Sequence, residues 1–132
     1  TYDGEPAMKL ETLLERGKVL PGLDAERVGG TVMTVPMFQQ LREMKGSRED
    51  LAVTFVASAL RSLVDAAVDE ASSKGIDAIG LTGGVSYNGV VCSLVDDMVR
   101  EQGLRFICPD RLPNGDGGIA SGQCAIALKR MS

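Results

Sequence analysis

The 132-residue sequence contains no histidine. A Ser-His-Asp triad or a histidine-rich metal site therefore cannot be completed by this chain alone. Tryptophan is also missing. Aromatic residues make up 4% of the chain against 44% apolar residues, so the core must be aliphatic. No basic stretch occurs, and 14 basic against 18 acidic residues give a net charge of −4. That balance argues against an electrostatic nucleic-acid footprint, and no direct nucleic-acid binding is expected. No apolar run reaches the ~20 residues that span a bilayer, no signal-peptide pattern is present, and no membrane association is expected. Cysteine is sparse: Cys92, Cys108 and Cys124 are spaced 16 apart and form no CxxC. Such a set reads as reduced thiols in a cytoplasmic protein, serving as small core residues. The chain opens at Thr1 without methionine, in sequence that already looks structured. The expectation is one domain belonging to a longer protein. No internal repeat or low-complexity segment appears.

What is present is organised around Leu81-Thr82-Gly83-Gly84-Val85-Ser86-Tyr87-Asn88. The apolar run 76–81 enters this stretch and an amphipathic run, Gly89 to Gln102, leaves it, which predicts strand, glycine turn and helix. A second strand is predicted over Leu104–Cys108. Strand, helix and strand in this order make a βαβ unit with parallel strands and a right-handed crossover, so the fold class is α/β, a mixed sheet flanked by helices. Upstream, Pro6 opens a helix whose stripe is Met8, Leu10, Leu13 and Leu14, ended by Gly17. Residues 19–28 read as a loop running into a short strand. Thr31–Val35 reads as a strand. Pro36 opens a short helix to Met44 with Phe38, Leu41 and Met44 on one side. Ser47-Arg48-Glu49-Asp50 predicts a capping box. The long helix after it, to Lys74, carries Val53, Val56, Leu60, Leu63, Val64 and Ala67 as a stripe that should lie on a sheet; Gly75 stops it. Downstream, 109–115 is a loop and Asp116-Gly117-Gly118 opens a last helix to Lys129. Gly118, Gly122 and Ala125 give that helix a bare face suited to close packing or to a ligand.

Both glycine turns follow the C-terminal ends of the predicted parallel strands, the edge at which open α/β sheets bind ligands. Gly83 and Gly84 let a phosphate or another backbone approach closely, and the first N–H groups of the next helix face the turn. The Asn88 amide both donates and accepts hydrogen bonds, which suits a sugar hydroxyl or a base. The Asp116 carboxylate can hold a cation that in turn holds phosphates. Structural readings compete: packing for Gly83-Gly84, helix capping for Asn88 and Asp116, and a favourable helix-end charge for Glu5.

Three motifs carry a family resemblance: Tyr2-Asp3-Gly4-Glu5-Pro6-Ala7-Met8, Gly83-Gly84-Val85-Ser86-Tyr87-Asn88, and Leu112-Pro113-Asn114-Gly115-Asp116-Gly117-Gly118-Ile119-Ala120-Ser121-Gly122-Gln123. Their order and content resemble the C-terminal end of the HypF family, the carbamoyltransferases of [NiFe]-hydrogenase maturation. The resemblance implies an actin-like fold, shared by acetate and sugar kinases, heat-shock chaperones and actin, of which this chain supplies the second lobe. It implies ATP as substrate, carbamoyl phosphate as carbamoyl source through a carbamoyl adenylate, and a HypE-like acceptor carbamoylated on its C-terminal cysteine. Gly83, Gly84 and Asn88 would hold the nucleotide, with Gly4 and Glu5 beside its ribose. Asp116 would ligate a divalent metal (Fe, Zn or Mg) whose histidine ligands lie in the first lobe, outside this chain; no catalytic residue is assigned. Two other readings are a relative of the tRNA threonylcarbamoyl transferases and a non-catalytic lobe that binds nucleotide or a partner.

Overall fold

The computed structural model describes residues 5–110 and 112–131. Ten residues, Glu5–Leu14, form α1, with Glu5 in the first turn. A loop leads to the antiparallel hairpin β1 (Arg27–Val28) and β2 (Thr31–Val32). Helix α2 (Thr34–Glu43) and the 27-residue α3 (Arg48–Lys74) follow. Strand β3 (Ala78–Gly80), a short 3-10 turn (Gly84–Tyr87), α4 (Gly89–Glu101) and β4 (Arg105–Ile107) make the βαβ unit. The two strands pair in parallel, with Ala78 opposite Arg105, Ile79 opposite Phe106 and Gly80 opposite Ile107. Helix α5 (Gly117–Met131) closes the chain.

The strand expected over Thr31–Val35 stops at Val32, and α2 begins at Thr34, two residues before Pro36. Helix-starting N–H groups lack intrahelical partners, so a proline in the first turn removes nothing and need not be the first residue. The face that α2 buries also differs from the one expected. Met37 is fully buried, while Phe38 is exposed and stacks at 4.6 Å on the ring of Phe55.

Helix α3 forms at its predicted ends. The Ser47 hydroxyl accepts the Asp50 N–H at 3.0 Å, and Gly75 closes the helix in the left-handed conformation. The Asp50 carboxylate accepts the Lys18 N–H at 2.7 Å, tying the exit of α1 to the start of α3. That bond, followed by those at Ser47, holds the Asp50 carboxyl below the usual carboxylate range.

The core gathers Leu14, Val53, Ala57, Val64, Val91, Val95, Met98 and Val99 from α1, α3 and α4, with Ile79 and Phe106 half-buried at its edge. Thus α3 packs chiefly on two helices, where a sheet was expected. The expected mixed sheet is instead two separate pairs, antiparallel β1–β2 and parallel β3–β4, because the two-residue hairpin strands do not reach β3. Strands of three residues in a two-stranded sheet are too narrow to cover a 27-residue helix. Leu63, placed in the stripe from sequence, is exposed. Thr54 is fully buried, donating to the Asp50 carbonyl at 2.6 Å and accepting the Leu20 N–H at 2.8 Å. By length and composition α3 is apolar enough to cross a membrane, which a search for uninterrupted apolar runs misses. A core helix passes the same test, and Val53, Ala57 and Val64 of α3 do lie in the core.

None of the described residues of α5 is buried; Ile119 and Ile126 are exposed. The bare face therefore does not produce close packing here. Gly118 has a local reason: a Cβ there would collide with the Pro113 carbonyl.

Candidate functional site

At the C-terminal end of β3, Gly83 adopts φ 94° and ψ 177°, a conformation closed to most side chains. Its N–H donates to the Asn114 carbonyl at 2.7 Å, and the Thr82 hydroxyl donates to the same oxygen at 3.2 Å. The Ser86 hydroxyl donates to the Gly83 carbonyl at 2.7 Å, closing the 3-10 turn. From the other side, the Gly115 N–H donates to the Tyr87 hydroxyl at 3.2 Å. Three hydrogen bonds among five residues thus join the turn after β3 to the loop after β4 at one rim of the sheet. The Leu81 N–H, bonded to the Ile107 carbonyl at 3.0 Å, carries the pairing up to that rim.

The N-terminal N–H groups of α4 do not face an open turn, as the sequence suggests. The Asn88 Oδ1 accepts the Val91 N–H at 3.0 Å, the Asn88 carbonyl accepts the Cys92 N–H at 3.0 Å, and the Glu11 carboxylate accepts the Gly89 N–H at 3.3 Å. The 3-10 turn separates Gly83-Gly84 from the start of α4. Asn88 caps the helix, and Glu11, reaching from α1, supplies the negative charge that a helix N-terminus favours. The Asn88 Nδ2 has no hydrogen-bond partner among the described residues.

Between α1, α3 and this turn lies a cavity of about 710 Å³. Its walls are largely apolar, with Met8, Leu14, Leu60, Val85 and Tyr87; Glu11 and Asn88 are polar points on it, and Gly84 borders it. A Cβ at Gly84 would meet nothing within 4 Å, so no contact among the described residues requires glycine there. An apolar cleft with few polar groups is the usual form of a small-molecule site. A second cavity, about 500 Å³, lies between the loop at 19–25, α3 and α4. Its two arginines are already paired, Arg27 with Asp69 and Arg61 with Glu101.

The structure therefore brings Gly84 and Asn88 to one cavity and sets Gly83 beside it. Glu5 stands half-buried in the first turn of α1, ion-paired with Lys9 at 2.5 Å, and does not line the cavity. Gly4 lies outside the described residues. Asp116 is exposed; its carbonyl accepts the Ile119 N–H at 3.1 Å, and its carboxylate has no partner among the described residues. Among the described residues no three His, Cys, Asp or Glu side chains gather to hold a metal. Asp116 can be one ligand of a metal, not a site. Sequence reasoning assigned no role to Glu11, Tyr87 and Asn114. The last two stand inside the quoted motifs, whereas Glu11 reads only as a charge on a helix.

Residues 1–123 match the family model described as carbamoyltransferase, Kae1-like domain, second subdomain. The chain is 33% identical over 129 residues to the probable carbamoyltransferase HypF of Methanocaldococcus jannaschii, covering 93% of this chain and 16% of that protein. It is 33% identical over 140 residues to the carbamoyltransferase HypF of Rhodobacter capsulatus, covering 99% of this chain and 17% of that protein. The crystal structure of T. kodakarensis HypF superposes with a TM-score of 0.85 at 27% identity, over 98% of this chain and 17% of that one. Full-length HypF in its phosphate- and nucleotide-bound form has the same fold, with a TM-score of 0.76 at 22% identity, over 99% of this chain and 18% of that one. The chain thus spans about a sixth of the length of these proteins. With all three motifs inside the matched range, the chain belongs to the HypF carbamoyltransferase family and corresponds to the second subdomain of its Kae1-like domain.

Proposed function

We propose that this chain is the second lobe of an actin-like carbamoyltransferase domain and that its apolar cleft receives the nucleoside part of ATP. In the whole, cytoplasmic protein, ATP and carbamoyl phosphate yield a carbamoyl adenylate. The carbamoyl group then passes to the C-terminal cysteine thiolate of a HypE-like acceptor, on the way to the cyanide ligands of a [NiFe]-hydrogenase. The observation that carries this reading is the convergence of three distant segments. Glu11 of α1 bonds Gly89, Asn114 bonds Gly83, and Tyr87 bonds Gly115.

In this reading Met8, Leu60 and Val85 flank the base, and the Asn88 Nδ2 donates to it or to the sugar. The open space at Gly84 admits the phosphates. By the resemblance of the first motif, Glu5 would stand beside the ribose, together with Gly4, which lies outside the described residues. Asp116 contributes one carboxylate to a divalent metal, Fe, Zn or Mg, completed by residues outside this chain; such an ion offsets phosphate charge when bound.

The test uses the full-length protein and the variant Asn88→Ser. Serine caps a helix about as well as asparagine, so folding is retained while the amide donor is lost. Calorimetry should show ATP binding weakened about tenfold, the usual worth of one well-placed hydrogen bond; unchanged affinity removes Asn88 from the site. Asp116→Ala should abolish carbamoyl transfer with little change in melting temperature. Near-normal transfer with metal still bound refutes the ligand role.

A further inference from the structure

The sequence makes Cys92 and Cys108 separate, small core residues. In the fold they meet. Cys92 sits in the first turn of α4, Cys108 directly follows β4, and their sulfurs are 3.6 Å apart, both half-buried. Cys124, on α5, is exposed. Burial first, and then the contact with Cys108, pushes the Cys92 thiol above its ordinary range. The Cys108 sulfur and the Cys92 backbone adjoin the segments on either side of the glycine turn. The Asn114 Nδ2 donates to the Cys108 sulfur at 3.7 Å, while the Asn114 carbonyl holds the Gly83 N–H. The Cys92 N–H donates to the carbonyl of Asn88. No third metal-ligating group joins the two thiols among the described residues, so the arrangement suits redox chemistry rather than metal binding.

We propose that Cys92 and Cys108 form a reversible dithiol–disulfide pair, oxidised by hydrogen peroxide, whose closure loosens the glycine turn through Asn114. One thiolate attacks a peroxide oxygen: an S–O bond forms, the O–O bond breaks, and the departing hydroxide takes up the thiol proton as water. The second thiolate then attacks the sulfenic sulfur: the S–S bond forms, the S–O bond breaks, and a second water leaves. Two thiols lose two electrons, and one peroxide becomes two waters. The sulfurs must close by about 1.5 Å to reach bonding distance, within the range of side-chain rotation and a small shift of α4 against β4. As the Cys108 sulfur turns towards Cys92, it leaves the Asn114 Nδ2. That frees the residue whose carbonyl anchors Gly83.

The chain is titrated with hydrogen peroxide at micromolar to low millimolar concentration, alkylated, and digested with trypsin without reduction. Cys92 falls in the peptide 75–100, Cys108 in 106–111 and Cys124 in 112–129. The expected product is 75–100 joined to 106–111, with Cys124 still alkylated and the link lost on adding dithiothreitol. Retention of both thiols, or cross-links formed chiefly through Cys124, overturns the pairing. This readout needs no variant; Cys124→Ser, which alters an exposed position, should give the same product. Amide exchange over 81–88 should become severalfold faster in the oxidised chain, and unchanged exchange there overturns the coupling to the turn. Neither measurement involves ATP, so the outcome is independent of the nucleotide reading.

Discussion

Asn88 shows how one side chain divides its work. Its Oδ1 is committed to the Val91 N–H and its Nδ2 has no described partner. Both readings open from sequence, cap and ligand contact, are therefore geometrically compatible, since they use different atoms. Asn88→Ala should destabilise the chain by about 1 kcal/mol through loss of the cap, and Asn88→Ser by a few tenths, in urea denaturation. Equal losses from the two would mean that the cap contributes nothing. Tyr87→Phe removes the acceptor of the Gly115 N–H. It should cost about 0.5–1.5 kcal/mol by the same measurement. Asn88 was legible because it directly precedes an amphipathic run. Glu11 was not, because nothing local marks a carboxylate that will meet a helix end 78 residues away.

Elements formed where local chemistry dictates their ends. Ser47 and Gly75 bound α3 as expected, because a hydroxyl acceptor at the start and a left-handed residue at the stop act within one turn. Thr31–Val35 misled, because β-branched residues favour strands only when a partner strand continues, and β1 offers just two residues. At the start of α3, the folded Asp50 carboxyl titrates below the free aspartate value of about 3.9. A group of this kind stabilises the fold above that value and loses its contribution as pH falls through the folded pKa. Asp50→Asn should therefore be less stable than the parent at pH 7, with the gap narrowing at pH 3. Urea midpoints at the two pH values check this; an equal gap at both would show that the charge is not involved.

At the scale of the whole molecule, one helical core of α1, α3 and α4 supports a two-stranded sheet, and α5 stands outside that core. Met98→Ala should cost about 2–5 kcal/mol, since it empties a buried site. Ile126→Lys on α5 should change stability by less than about 0.5 kcal/mol. Paired denaturation curves decide. A large loss from Ile126→Lys would show that α5 is packed in solution. The α/β class, the parallel βαβ unit and the family motifs were all readable in one dimension. The packing of α3 between helices was not, since a stripe of apolar residues does not name its partner.

The order of elements, the capped ends of α3 and the two glycine turns followed from residue types and spacing, because these features rest on interactions within a few residues. Tertiary structure alone decided three things: Glu11 at the start of α4, Asn114 beneath Gly83, and Cys92 against Cys108. Each joins residues far apart in the chain. Such pairs meet only through the way helices and strands pack, and no local pattern encodes their distance.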